Sequence, residues 1–267
     1  MKTAIVIPAF NEEKSISLVI GDIPKALSHN LVVVNNGSSD KTEKICKDIG
    51  VPVINEPRKG YGRACLKGID FFKSKSPDII VFLDADYSDF PQEMHSLVNP
   101  IINDQHDFVP GSRMPGKREP GAILPQALIG NKFAALLIKW FFGFRYTDCG
   151  PFRAIRFQKL LKMNMQDTTF GWNVEMQAKA VFHNLRINEV PVSYRKRIGV
   201  SKITGTFSGT VRAGIKIIYT ILKLALICRL KSFDKVCCGE TQRGRAATTI
   251  RQESRIGRIP KESHPKG

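Results

Sequence analysis

Two carboxylates, Asp84 and Asp86, stand one residue apart where the apolar run 79–83 ends, shortly before Pro91. In an extended strand residues i and i+2 project to the same side, so both aim at one region beyond the strand's end. Their mutual repulsion calls for a cation. Carboxylate oxygens, with phosphate oxygens completing the shell, suit Mg²⁺ or Mn²⁺. Such an ion bridges a diphosphate and stabilises the charge of a departing nucleoside diphosphate. An isolated Asp-x-Asp is more often a turn or a helix cap than a metal site. Its place at the end of an apolar run favours the metal.

The elements that position this pair follow from periodicity. Runs 3–8, 31–35, 51–54, 79–84 and 107–112 are short and β-rich, and stretches of helical length near 12–28, 40–49, 62–75 and 91–103 separate them. Strands alternating with helices imply an α/β domain with a mostly parallel, Rossmann-like sheet covered on both faces. Ligands of such sheets bind beyond the carboxyl ends of the strands. PAFNEE (8–13), NNGSSD (35–40), the Asp84–Asp86 pair and GSR (111–113) all fall at those ends. PRKGYGRA (57–64) places Gly60 and Gly62 ahead of a helix with Arg63 beside them. It reads either as a phosphate cradle or as a plain glycine turn.

The second half differs in charge. The chain carries +17 overall, but residues 1–110 hold 12 basic and 15 acidic groups, while 111–267 hold 29 and 9. A near-neutral front and a basic back suit an anionic surface or substrate. The charge comes with no nucleic-acid-binding motif, which argues against a nucleic-acid partner. Residues 122–144 and 211–230 are apolar stretches with lysines seven apart, Lys132 and Lys139 in one and Lys216 and Lys223 in the other. They read as amphipathic helices for an anionic membrane surface, or as core or dimer helices. Runs 151–157 and 185–194 read as further strands around a helix near 171–183. Residues 231–267, with 9 positive and 4 negative groups and no periodicity, read as a basic disordered tail. Six cysteines without a CxxC pair, and a start that turns polar after ten residues, fit a cytoplasmic protein lying peripherally on a membrane. Arg113, Arg153, Arg195, Arg197 and Lys202 are candidates for holding phosphate, as guanidinium forks and a mobile point charge. A row such as 195–197 can also be a solvated strand edge.

PAFNEEKSI, VVNNGSSDKT, KGYGRACLKGI, FLDADYSDFPQE, GSRM, TDCGPFRAIR, GWNVEMQAKA and YRKRIGVSKITGT occur in that order over roughly residues 1–225. Together they resemble the family 2 inverting glycosyltransferases, and among them the dolichyl-phosphate mannosyl- and glucosyltransferases. The resemblance implies a single nucleotide-sugar-binding domain of GT-A type over 1–206. A membrane-interface helix over 207–230 and the tail over 231–267 would follow it. It implies a metal-dependent transfer of a hexose from a GDP- or UDP-sugar to a polyprenyl phosphate. A saccharide or other hydroxyl acceptor is the alternative. By the same resemblance Pro8, Phe10 and Glu12 line the pocket of the base, and Asn35 matches a position that is often an aspartate accepting a base N–H. Asp84 and Asp86 hold the metal and the diphosphate, while Arg113 and the Arg197-x-x-x-Ser201-Lys202 region bind acceptor or donor phosphates. A hydroxyl acceptor needs a general base, for which Asp148 and Glu175 are candidates. A phosphate monoester, with a second pKa near ~6, does not. For that acceptor Asp148 is expected to order Arg153 or another cation.

Overall fold

The computed structural model describes residues 1–199, 209 and 211–229. Ser201, Lys202 and the segment 231–267 lie outside the described residues. By compactness the chain divides at Leu224, and of the second unit only 225–229 are described, as helix.

Strands β1 (Thr3–Ala9), β2 (Leu31–Asn35), β3 (Val53–Asn55), β4 (Ile79–Phe82), β5 (Phe108–Ser112), β6 (Arg153–Arg156) and β7 (Val190–Pro191) form one sheet in the order β3-β2-β1-β4-β6-β5-β7. β1 to β4 are mutually parallel. β6 runs antiparallel between β4 and β5. The run 107–112 continues the series as expected, β5 pointing the same way as β4, but a strand from later in the chain is inserted between them. The fold is a mixed α/β domain with a mostly parallel seven-stranded sheet.

The helices are α1 (Ile16–Gly21), α2 (Thr42–Asp48), α3 (Tyr61–Lys73), α4 (Met94–Ile102), α5 (Pro125–Phe142), α6 (Phe157–Met163), α7 (Trp172–Phe182) and α8 over 211–229. The expected helix 12–28 shrinks to α1, because Pro24 offers no N–H to continue it. The expected strand 185–194 shrinks to β7, where Pro191 likewise has no N–H to give. Ile187 makes one isolated bridge, to Phe108, and Tyr194 makes two, to Asp89 and Arg118.

Side-chain alternation along β1 explains why both faces are covered. Ala4 and Val6 enter one apolar cluster with Phe72, Phe82 and Trp172, while Ile5 and Ile7 enter a second with Val33, Val81 and Leu97. Helix α3 lies close on β1: a Cβ at Gly68 would stand 2.4 Å from Val6 Cγ1. This packing fixes the start of α3 against the rim where β1, β2 and β4 end.

Candidate active site

A cleft of about 390 Å³ opens at that rim, lined by Pro8, Phe10 and Glu12 after β1, Asn36 after β2, Lys59 to Tyr61 at the start of α3, Asp84 to Asp86 after β4, Thr169, Phe170 and Arg197. The strand-end motifs PAFNEE and DAD thus meet as expected. The Lys59 ammonium stands 4.9 Å from the centre of the Phe10 ring. The Glu12 carbonyl receives the N–H groups of Ser15 and Ile16, and its carboxylate accepts from the Ser15 hydroxyl at 2.9 Å. Glu12 therefore starts α1 and lines the cleft at once.

Asn35 is placed elsewhere. Its amide donates to Asn55 Oδ1 at 2.8 Å and to Glu43, and its oxygen accepts from Ser38 N. Asn36 lines the cleft instead, tying the loops together through Glu56 O, Arg58 O and Gly60 N. Arg63 is not part of the lining. The glycines next to it serve a close approach of protein to protein. A Cβ at Gly60, where φ is +147°, would stand 2.3 Å from Thr168 O, and one at Gly62 would stand 2.0 Å from Asp167 O. The first-turn N–H of Arg63 is already given to Thr168 O. The segment 167–170 is anchored in turn through Asp167, which accepts from Thr169 N and Gly171 N and pairs with Lys216 of α8.

Gly62→Ala is therefore expected to destabilise, although alanine is the better helix former by about 1 kcal/mol. The methyl must push backbone, at a cost of roughly 1–3 kcal/mol. The shift should also weaken nucleotide binding through Thr169 and Phe170. Melting and nucleotide titration of the variant check this; wild-type values for both would contradict it.

Asp86 is buried. Its Oδ1 accepts from the backbone N–H and the hydroxyl of Ser88, and its Oδ2 pairs with Arg197 at 2.7 Å. Burial first, then the charge of Asp86, pushes the Asp84 carboxyl up to about 7, with Arg197 opposing. Tyr61 stands next to Asp84, yet the Tyr61 hydroxyl and Asp84 Oδ1 are buried without a hydrogen bond of ordinary geometry. A third acid, Asp89, is 2 % exposed with both oxygens unpartnered. Burial, then Asp84 and Asp86, raises it well above the carboxylate range. Nothing in the strand pattern singled Asp89 out, because it follows the strand by a turn.

Because β6 is antiparallel, its start lies on the same rim as the ends of β4 and β5. That placement brings Asp148 to Arg113. Arg113 Nε and Nη2 reach the two Asp148 oxygens at 2.7 and 2.8 Å, and Arg113 N donates to Oδ2 at 2.8 Å. Asn131 and Cys149 N complete the set. Burial works against the charge, but Arg113 holds the Asp148 carboxyl below its ordinary range. Of the two alternatives expected, Arg153 or another cation, Asp148 orders the second, Arg113.

Arg153 departs from its expected role of holding phosphate. It is fully buried and its guanidinium donates to the carbonyls of Gly150, Pro151 and Asn173, so no acceptor meets it. Arg195 departs from the same role. Its guanidinium lies 3.3 Å from the Tyr87 ring centre and 4.3 Å from that of Phe90, and it bonds to Tyr87 O, Asp89 O and Asp22. It braces the 84–90 loop from behind. Glu175 caps backbone as well, accepting from Gln166 N and Asp167 N and pairing with Lys179.

A second cavity of about 260 Å³ shares Tyr61, Asp84 and Phe170 with the first. Arg113, Asn131 and Asn173 line it, with apolar walls from Ala127, Gly130 and Ala134 of α5 and Ala213 and Ile217 of α8.

The sequence of residues 4–163 matches the model of glycosyl transferase family 2. The chain belongs to that family. It is 30% identical over 223 residues to a dolichyl-phosphate hexose transferase of Haloferax volcanii, covering 82% of this chain and 94% of that one. It is 28% identical over 245 residues to a UDP-N-acetylglucosamine–dolichyl-phosphate N-acetylglucosaminyltransferase of Methanococcus voltae, covering 83% and 95%. Among solved structures, glucosyl-3-phosphoglycerate synthase from Mycobacterium tuberculosis, in complex with Mn²⁺, UDP and glucosyl-3-phosphoglycerate, superposes with a TM-score of 0.67. The two are 21% identical, with 84% of this chain and 80% of that chain covered. At that identity the likeness establishes a shared GT-A-type fold.

Proposed function

We propose that this glycosyltransferase moves a hexose from a nucleoside diphosphate sugar to a polyprenyl phosphate at a membrane surface. The observation that carries the reading is the meeting of two cavities at Asp84. The one between the strand ends, with Phe10 in its wall beside Glu12, Asn36, Lys59 and Arg197, suits the donor. The other combines the half-buried Arg113 guanidinium with apolar helix walls, which suits an anionic head on an apolar chain.

The residues present fit a divalent ion. Asp84 offers an orphaned buried oxygen, Asp86 already holds a cation, and both are hard donors. Among the described residues no set of three His, Cys, Asp or Glu side chains forms a metal cluster, so an ion held by Asp84 and Asp86 would take further oxygens from diphosphate or water. When bound, Mg²⁺ or Mn²⁺ supplies charge stabilisation for the departing nucleoside diphosphate. An acceptor phosphate oxygen attacks the anomeric carbon in line, the bond from that carbon to the diphosphate breaks, and the configuration inverts. The acceptor is largely dianionic at neutral pH, its second pKa being ~6, and needs no base. Arg113 holds and screens it.

Seating on a membrane is supported by exposed apolar stripes at helical spacing. On α5 these are Ile129, Phe133, Leu136 and Trp140, the last 81% exposed; on α8 they are Val211, Ile215, Tyr219 and Leu222. Among the described residues no helix is long and apolar enough to cross a membrane. An interfacial position fits both facts. The test offers labelled UDP- and GDP-hexoses with Mn²⁺ to a short-chain polyprenyl phosphate, to 3-phosphoglycerate and to free saccharides. Transfer to the lipid phosphate, abolished by chelator, is expected. Phe133→Glu combined with Trp140→Glu should lower transfer to acceptor in vesicles at least about tenfold while sparing a detergent-dispersed short acceptor. Transfer to 3-phosphoglycerate or a saccharide alone would replace the lipid reading with the hydroxyl-acceptor one.

A further inference from the structure

Arg197 occupies the one oxygen of Asp86 that a metal ion could use. Asp86 Oδ1 is committed to Ser88, while Oδ2 lies 2.7 Å from Arg197 Nη2. The backbone on both sides of this contact is pinned: Ile198 N donates to Asp86 O and Arg195 N to Ser88 O, each at 2.9 Å. The clamped Arg195 side chain holds the same loop. Only the Arg197 side chain has room to change partner, since it faces the donor cleft and is about one-third exposed.

A guanidinium and a divalent ion cannot both take Oδ2. We propose that Arg197 is the built-in counter-ion of the metal-free site, and that it exchanges Asp86 for the donor diphosphate when metal and nucleotide enter together. This deepens the reading given above and rests on Asp84 and Asp86 holding the metal diphosphate. A planar fork with several N–H donors matches phosphate oxygens as well as a carboxylate. The exchange keeps the charge of the cleft near balance in both states. Metal alone must compete with an internal cation and binds weakly. The diphosphate gives that cation a new partner, so metal and nucleotide bind with positive coupling, each raising the affinity of the other by the same factor.

The test is calorimetric titration of Mn²⁺ into the full chain, alone and with saturating UDP or GDP in separate runs. It uses wild type, Arg197→Gln, Arg197→Lys and Asp86→Asn, each first checked by metal-free melting. In Arg197→Gln, Mn²⁺ alone should bind about tenfold tighter, and the gain in Mn²⁺ affinity on adding nucleotide should shrink by about tenfold. Arg197→Lys, which keeps the charge but not the fork, should fall between, and it carries the test if the glutamine variant does not fold. Unchanged affinity of both Arg197 variants for Mn²⁺ alone, with wild type still binding Mn²⁺ and nucleotide, overturns the exchange and leaves the metal site standing. Asp86→Asn binding Mn²⁺ with nucleotide as tightly as wild type overturns the metal site, and the exchange with it.

Discussion

Replacing Asp84 with asparagine should stabilise the metal-free protein at pH 8 and abolish sugar transfer. The cause is the company the carboxyl keeps: burial, and then the charge of Asp86, raises it from 3.8 to about 7. Below about pH 4 it is protonated whether the chain is folded or not, and costs nothing. Between about pH 4 and 7 the unfolded chain releases the proton while the folded one retains it, so stability falls as pH rises. Above 7 the folded protein bears the whole cost of a buried charge beside another. Asparagine has the same shape without that charge. Its gain at pH 8 should be on the order of 2 kcal/mol, or about 4–8 °C in melting temperature for a chain of this size. At pH 4 the two proteins should melt together. Adding Mn²⁺ and nucleotide should reverse the order, because only the wild type gains binding energy from the ion. Transfer should fall by at least about 10²–10³-fold. Melts in chelator at pH 4 and 8 decide the matter. Equal destabilisation of the variant at both values would mean that Asp84 is an ordinary structural acid.

The same pair shows how far the sequence alone can be read. β1, β2 and β4 are legible because strands buried on both faces must be apolar without interruption, and polar residues at their ends then stand out. The segment 8–13 and the pair Asp84 and Asp86 stand out that way; a pocket role for Pro8, Phe10 and Glu12 comes from the family resemblance, and all five residues line the cleft. The insertion of β6 was not legible. Local pattern marks a strand, but its neighbours depend on which sheet edge is free when the chain returns. The meeting of Asp148 with Arg113 follows from that insertion. The arginines mark the other boundary. Arg153, Arg195 and Arg197 look alike as letters, yet one is spent on buried carbonyls, one is stacked between Tyr87 and Phe90, and one faces the cleft. What separates them is the surroundings of each guanidinium, supplied for Arg195 by hydrogen-bond partners 106 to 173 positions away. Asn35 and Asn36 differ by a single step along the chain, and that step exchanges a bond to Asn55 for a place in the cleft wall.

Asp148→Asn should damage stability far more than chemistry. Asp148 is fully buried, and its oxygens already accept from Arg113, Asn131 and Cys149 N, so neither is free to take a proton from an acceptor. A carboxyl held below its ordinary range is also a poor base near neutrality. Removing its charge leaves Arg113, whose side chain is 14% exposed, without a counter-charge. Breaking a buried pair from one side costs about 3–5 kcal/mol, whereas removing both partners often costs much less. The variant should therefore melt well below wild type, and Arg113→Gln combined with Asp148→Asn should recover part of that loss. Such non-additivity is expected of groups in direct contact. Below its melting point, Asp148→Asn should keep transfer to polyprenyl phosphate within about tenfold of wild type and leave the pH dependence of kcat unchanged, since the acceptor brings its own nucleophilic oxygen. The double variant should lose transfer despite its better stability, because in the proposed reading Arg113 holds the acceptor. A fall of 10³-fold or more in folded Asp148→Asn, with nucleotide affinity intact, would restore the carboxylate as a base and point to a hydroxyl acceptor, since general-base catalysis contributes about 10²–10⁴-fold.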